Sequence, residues 1–140
     1  MSRVVHRGCL IVLTVMGLGV GGWAYVAPLN WYSTFPGLGM RWLPPLGPYN
    51  EHFVKDVGGM YLALAALSAL AVYYLSNRAV VVITAISWSI FNALHLIYHI
   101  GMLHMYGPRD AALNAVSLSL ALVASLLLLV PARVRAGRSL

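Results

Sequence analysis

Four apolar runs, separated by short polar or proline-rich breaks, set the pattern of this chain. They cover residues 8–26, 53–75, 79–103 and 111–130. At about 1.5 Å of rise per residue, a helix of roughly 20 residues crosses a ~30 Å hydrocarbon core, so each run predicts one membrane-spanning helix. Val80, Val81, Val82 and Ile83 would suit a strand. The length of the third run decides for helix, because lipid offers no partner to an open strand edge. Asn50 is a good N-cap for the second helix, with Glu51 favourably placed in its first turn. Ser76-Asn77-Arg78 and the segment from His104 to Asp110 read as turns, with Asp110 as the N-cap of the fourth helix and Pro131 after its end.

Residues 27–52 form the one long connection. It carries Pro28, Pro36, Pro44, Pro45 and Pro48 together with Trp31, Tyr32, Phe35, Trp42 and Tyr49. Proline bars a regular helix through most of it, and the aromatic side chains suit the lipid headgroup level. The expected fold is all-α: one membrane domain over residues 1–140, a four-helix bundle capped by an aromatic, proline-rich extracytoplasmic loop.

Composition agrees with this pattern. The chain is 61% hydrophobic and 9% charged, whereas about a quarter of the residues of a soluble domain are charged. The lipid bilayer is therefore the first partner. The net charge of +6 reflects arginines at the ends of apolar runs, which points to anionic lipid and topology and away from nucleic acid. With four spans both termini share a side. That side holds Arg3, Arg7, Arg78, Arg133, Arg135 and Arg138, against Arg41, Lys55 and Arg109 opposite. The positive-inside rule puts both termini in the cytoplasm of a cell-membrane protein. Arg3 and Arg7 before an apolar run also resemble a signal peptide, with Gly22-Trp23-Ala24 as a tolerable cleavage site, but the first run is read as a retained helix. Cys9 is the single cysteine, so an internal disulfide and a CxxC metal site are excluded.

The candidate chemistry lies toward the loop end. His95 and His99 stand at i,i+4 and share a helix face, with Asn92 extending the stripe by nearly a turn. His99 is expected about 6 Å, and His95 about 12 Å, below the end of the third helix. His52 and Asp56 repeat the i,i+4 spacing on the second helix, Glu51 stands beside them, and Asn114 enters from the fourth. Gly58-Gly59 would leave room near His95 for a side chain or ligand, and Lys55 either snorkels to the interface or pairs with Glu51. The opposite half holds little beyond serines and a threonine.

Three readings follow. In the first, Asp56, Asn92, His95, His99 and Asn114 line a pocket for a small amphipathic ligand or a metal. A metal such as Zn, Cu or Fe would be held by His95, His99, Asp56, His52 and Glu51, with His104 nearby. Haem fits less well, since two histidines at i,i+4 cannot straddle one iron and a second axial ligand would come from another helix, such as His52. In the second, a histidine beside a carboxylate serves as general acid and base in a membrane-embedded redox or isomerase-type enzyme, with the aromatic loop as the apolar wall. In the third the polar groups are structural: His99 pairs with Asp56, and His95 bonds Asn114 or a backbone carbonyl. Gly17 and Gly21 form a small-xxx-small pair through which the first helix would pack closely on another helix, including one from a membrane protein partner or a second copy of the chain.

The stretch Pro48-Tyr49-Asn50-Glu51-His52-Phe53-Val54-Lys55-Asp56-Val57-Gly58-Gly59-Met60-Tyr61-Leu62, with Trp88, Phe91, Asn92, His95 and His99 on the third helix, resembles the DoxX-like small four-helix membrane proteins of bacteria, in particular uncharacterised actinobacterial members. That resemblance implies a compact four-helix bundle and, in some members, association with redox enzymes; the pocket reading goes with an accessory subunit of a larger envelope or respiratory complex. It carries over no catalytic residue.

Overall fold

The computed structural model describes residues 2–131, so Arg133, Arg135 and Arg138 lie outside the described residues. Four long helices run through it: α1 (Arg3–Val26), α3 (Glu51–Tyr73), α4 (Arg78–Gly101) and α5 (Pro108–Leu127). All four are long and apolar enough to cross a membrane. Their outer faces agree, with Val15, Leu18, Ile83, Ile90, Leu94, Ile97 and Leu120 all exposed. A continuous apolar surface of this kind belongs in lipid. The chain is a four-span helical membrane protein.

Helix ends follow local capping chemistry. Ser2 accepts from the Val5 amide, so α1 begins five residues earlier than the apolar run suggested. Asn50 accepts from the Phe53 amide as expected. Asn77 caps α4 through the Ala79 amide. At α5 the expectation fails: Gly107 is the cap, Pro108 opens the helix and Asp110 sits in the first turn. Proline at the first helical position has the required φ and no amide hydrogen to leave unpaired.

The same chemistry corrects the reading of the loop. Pro28 starts a helix, α2 (Pro28–Thr34), rather than forbidding one. A two-stranded hairpin follows, pairing β1 (Pro36–Gly37) with β2 (Met40–Arg41) in antiparallel register. Gly37 and Gly39 turn it at positive φ. A short 3₁₀ turn over Pro44–Leu46 leads into α3.

The long helices pack as two pairs, α1 against α3 and α4 against α5, while α1–α5 and α3–α4 meet less extensively. Glycine makes the first pair close. A Cβ on Gly21 would stand 2.8 Å from the Gly58 carbonyl, and one on Gly17 would stand 2.9 Å from the Ala65 Cβ. Gly17 and Gly21 are therefore taken up inside the bundle and are not presented to a partner helix. Gly58 likewise receives the backbone of α1 and opens no space beside His95.

The half nearer the termini is a tightly bonded core around Leu10, Leu13, Val81, Trp88 and Leu128. The Trp88 indole donates to Ser68 Oγ at 2.6 Å, and Ser89 Oγ donates to Ser125 Oγ at 3.1 Å. From its sequence this half holds little beyond serines and a threonine. In fact buried His6 bonds the Val130 carbonyl at 3.0 Å, and the Arg78 guanidinium donates to the Leu128 and Leu129 carbonyls. These groups bond carbonyls at the C-terminal end of α5, which have no partner within their own helix.

Candidate functional site

Each long helix sends one stripe of side chains toward a common space beneath the loop. Asn92, His95 and His99 follow the i, i+3, i+7 spacing of one α4 face, and Asn114, Ser117, Leu118 and Ala121 do the same on α5. Met16 and Val20 of α1 and Val57 and Tyr61 of α3 complete the walls. Trp31, Phe35, Pro36, Trp42 and Leu43 form the roof. The cavity, which is partly open to the surface, has a volume of about 270 Å³. A cavity of about 150 Å³ accepts a benzene ring, so this one accommodates a substituted ring.

The roof is anchored to the helices. Trp31 and Phe35 stack at 5.4 Å, and Phe35 meets Trp42 edge-on at 6.1 Å. Tyr106, in the turn between α4 and α5, donates to the Trp42 carbonyl at 2.8 Å. Burial, with Tyr98 nearby adding to it, pushes the Tyr106 phenol up to about 12, so it keeps this proton throughout the neutral range.

Among the described residues, four buried polar side-chain atoms lack a hydrogen-bond partner: Trp31 Nε1, Trp42 Nε1, His99 Nδ1 and Asn114 Oδ1. All four residues line this one cavity. They are 7%, 7%, 6% and 2% exposed, so bulk water does not serve them. An orphaned buried polar group costs about 1–3 kcal/mol, and native proteins hold few of them. The set offers two indole donors, one amide acceptor and an imidazole nitrogen that takes either role. The His95 ring lies against His99, with centroids 4.6 Å apart, and borders the same space. Asn92 is spoken for, since its amide donates to the Ala121 carbonyl at 3.1 Å and ties α4 to α5.

Of the residues singled out from sequence, Asn92, His95, His99 and Asn114 come together, while Asp56, His52 and Glu51 do not join them. His52 and Asp56 pair with each other at 3.3 Å with side chains 79% and 62% exposed, and Glu51 pairs with Lys55 at 2.8 Å. The reason is helical phase: Val54 and Gly58 face inward, and Asp56, two residues from each, lies about 200° around the helix. The His99–Asp56 pair and the His95–Asn114 bond are thus not formed, and His104 bonds the Gly101 carbonyl at 3.1 Å on the exposed side. The five-residue metal set is not assembled, and no group of three or more His, Cys, Asp or Glu able to hold a metal occurs among the described residues. The histidine–carboxylate pair that does form, His52 with Asp56, lies on the exposed face and not in the cavity. The loop aromatics, expected only as an apolar wall, also supply indole donors, because nothing in the local sequence shows which loop tryptophan turns inward.

The fold and site define a four-span membrane protein with a roofed, mostly apolar cavity. Comparison with protein-family models, with curated proteins and with solved structures finds no match.

Proposed function

We propose that this protein binds a small amphipathic organic molecule in the cavity beneath the aromatic loop. The observation that carries this reading is the convergence of four partnerless polar atoms, from Trp31, Trp42, His99 and Asn114, on one apolar space. Binding sites for small molecules have this make-up: apolar walls with a few placed polar groups that fix orientation. The ligand has a hydrogen-bond acceptor for the indoles and a donor for the Asn114 oxygen. The arginine bias at the other end of the bundle supports a topology with the loop and cavity toward the outside of the cell membrane and the termini in the cytoplasm. A ligand carrier of this size suits an accessory role beside a larger membrane enzyme, in keeping with the DoxX-like resemblance.

The test is mass spectrometry of the organic extract of protein purified in mild detergent, run beside a His99→Leu/Asn114→Leu variant. A compound near one equivalent in the wild type and absent from the variant is the expected result. The reading is wrong if the wild type carries nothing beyond the detergent blank and no amphipathic ring compound raises its Tm.

A further inference from the structure

We infer that the ligand is lipid-soluble, a polar ring with a hydrocarbon tail, and that it reaches the cavity sideways from the bilayer between α1 and α5. This inference rests on the cavity reading above and adds the route and the chemical class. Three observations point to the route. Of the residues lining the cavity only Ser117 is exposed, and it lies about 14 Å along α5 from Pro108, halfway down the helix. The cavity therefore meets the surface at hydrocarbon depth. In the roof Trp31 and Trp42 are buried, Phe35, Pro36 and Leu43 are half-buried and none is exposed, and Tyr106 holds the Trp42 backbone.

The second observation is the weak attachment of α5 on its α1 side. Along its length α5 buries only Asn114 and Ser125. Its side-chain hydrogen bonds to a neighbouring spanning helix within the bundle go to α4, through the Asn92–Ala121 and Ser89–Ser125 links. Among the described residues, α1 reaches this strand of chain by hydrogen bond at the C-terminal end of α5, where His6 meets the backbone of Val130 and Leu127. The third observation is the chemistry of the seam. Met16 and Val20 of α1 and Leu118 and Ala121 of α5 all line the cavity, so what passes between these helices meets hydrocarbon, with Ser117 and Ala121 as small side chains on α5. A polar head finds its partners only further in, at Asn114, His99 and the roof indoles. The division of the site into a polar inner end and an apolar outer seam matches a molecule with a polar ring and an alkyl tail.

The probes are two esters of para-hydroxybenzoic acid, whose carbonyl and phenol match the donors and acceptor of the cavity. The decyl ester has a tail that must leave through the seam, whereas the methyl ester fits wholly inside. Binding to the full chain in lipid nanodiscs is read from tryptophan fluorescence, since two of the four tryptophans line the site. The wild type is expected to bind the decyl ester at least about 100-fold tighter per total concentration than the methyl ester, because the tail concentrates it in the bilayer. A Ser117→Phe plug, at the exposed edge of the lining, is expected to erase that advantage by weakening the decyl ester far more than the methyl ester. If Ser117→Phe leaves decyl-ester affinity unchanged or weakens both esters alike, while Asn114→Leu weakens both, the cavity reading stands and the lateral route is overturned. If neither ester binds the wild type, the inference falls together with the reading it rests on.

Discussion

The two ends of this bundle handle buried polarity in opposite ways. At the end near the termini, Trp88 has Ser68, Ser89 has Ser125, His6 has the Val130 carbonyl and Arg78 has two carbonyls after α5. At the loop end, Trp31, Trp42, His99 and Asn114 leave polar atoms without a partner around one cavity. Both ends bury indole and imidazole groups, so residue type does not distinguish them. What differs is completion: polar groups satisfied within the chain hold helices together, and those left over are available to something else.

The largest effect that tests this contrast is at the completed end. Trp88→Ala removes a fully buried indole together with its bond to Ser68. A loss of about 3–5 kcal/mol is expected, read by denaturant titration of the detergent-solubilised protein. At the loop end the sign reverses. Asn114→Leu removes an amide oxygen that bonds nothing in the chain, so the ligand-stripped variant should be no less stable and up to about 1–3 kcal/mol more so. A clear loss of stability there would show that Asn114 is structural after all and would erase the contrast.

The smallest effect concerns the roof. Tyr106→Phe deletes the bond to the Trp42 carbonyl and should cost about 1 kcal/mol at neutral pH. Its pH dependence sharpens the point. The folded phenol titrates at about 12, above the ordinary tyrosine value near 10, so the folded state holds this proton more tightly than the unfolded one. The Tyr106 contribution is therefore complete below about pH 10 and is lost as pH rises toward 12. Thermal melts across that window should fall less steeply for Tyr106→Phe than for the wild type.

The spans, their number and the polar stripes were readable from the chain itself. Hydrophobic run length, the Asn50 cap and the i,i+4 spacing of His95 and His99 are local properties, and lipid leaves an apolar run little choice but helix. Depth was readable too, since helical rise alone brings Asn114 and the two histidines to one level. Helical phase was not. Whether Asp56 or Val54 faces the interior depends on which side of α3 receives α1, and that was decided by the close approach of Gly17 and Gly21 to Gly58 and Ala65. The same packing explains why Gly17 and Gly21 of the first helix are taken up against α3. Tertiary structure also decided the fate of the loop tryptophans and of His6, whose partners lie on distant segments. Sequence determines the polar groups a helix carries and their spacing along it; only the packed bundle determines which of them find each other.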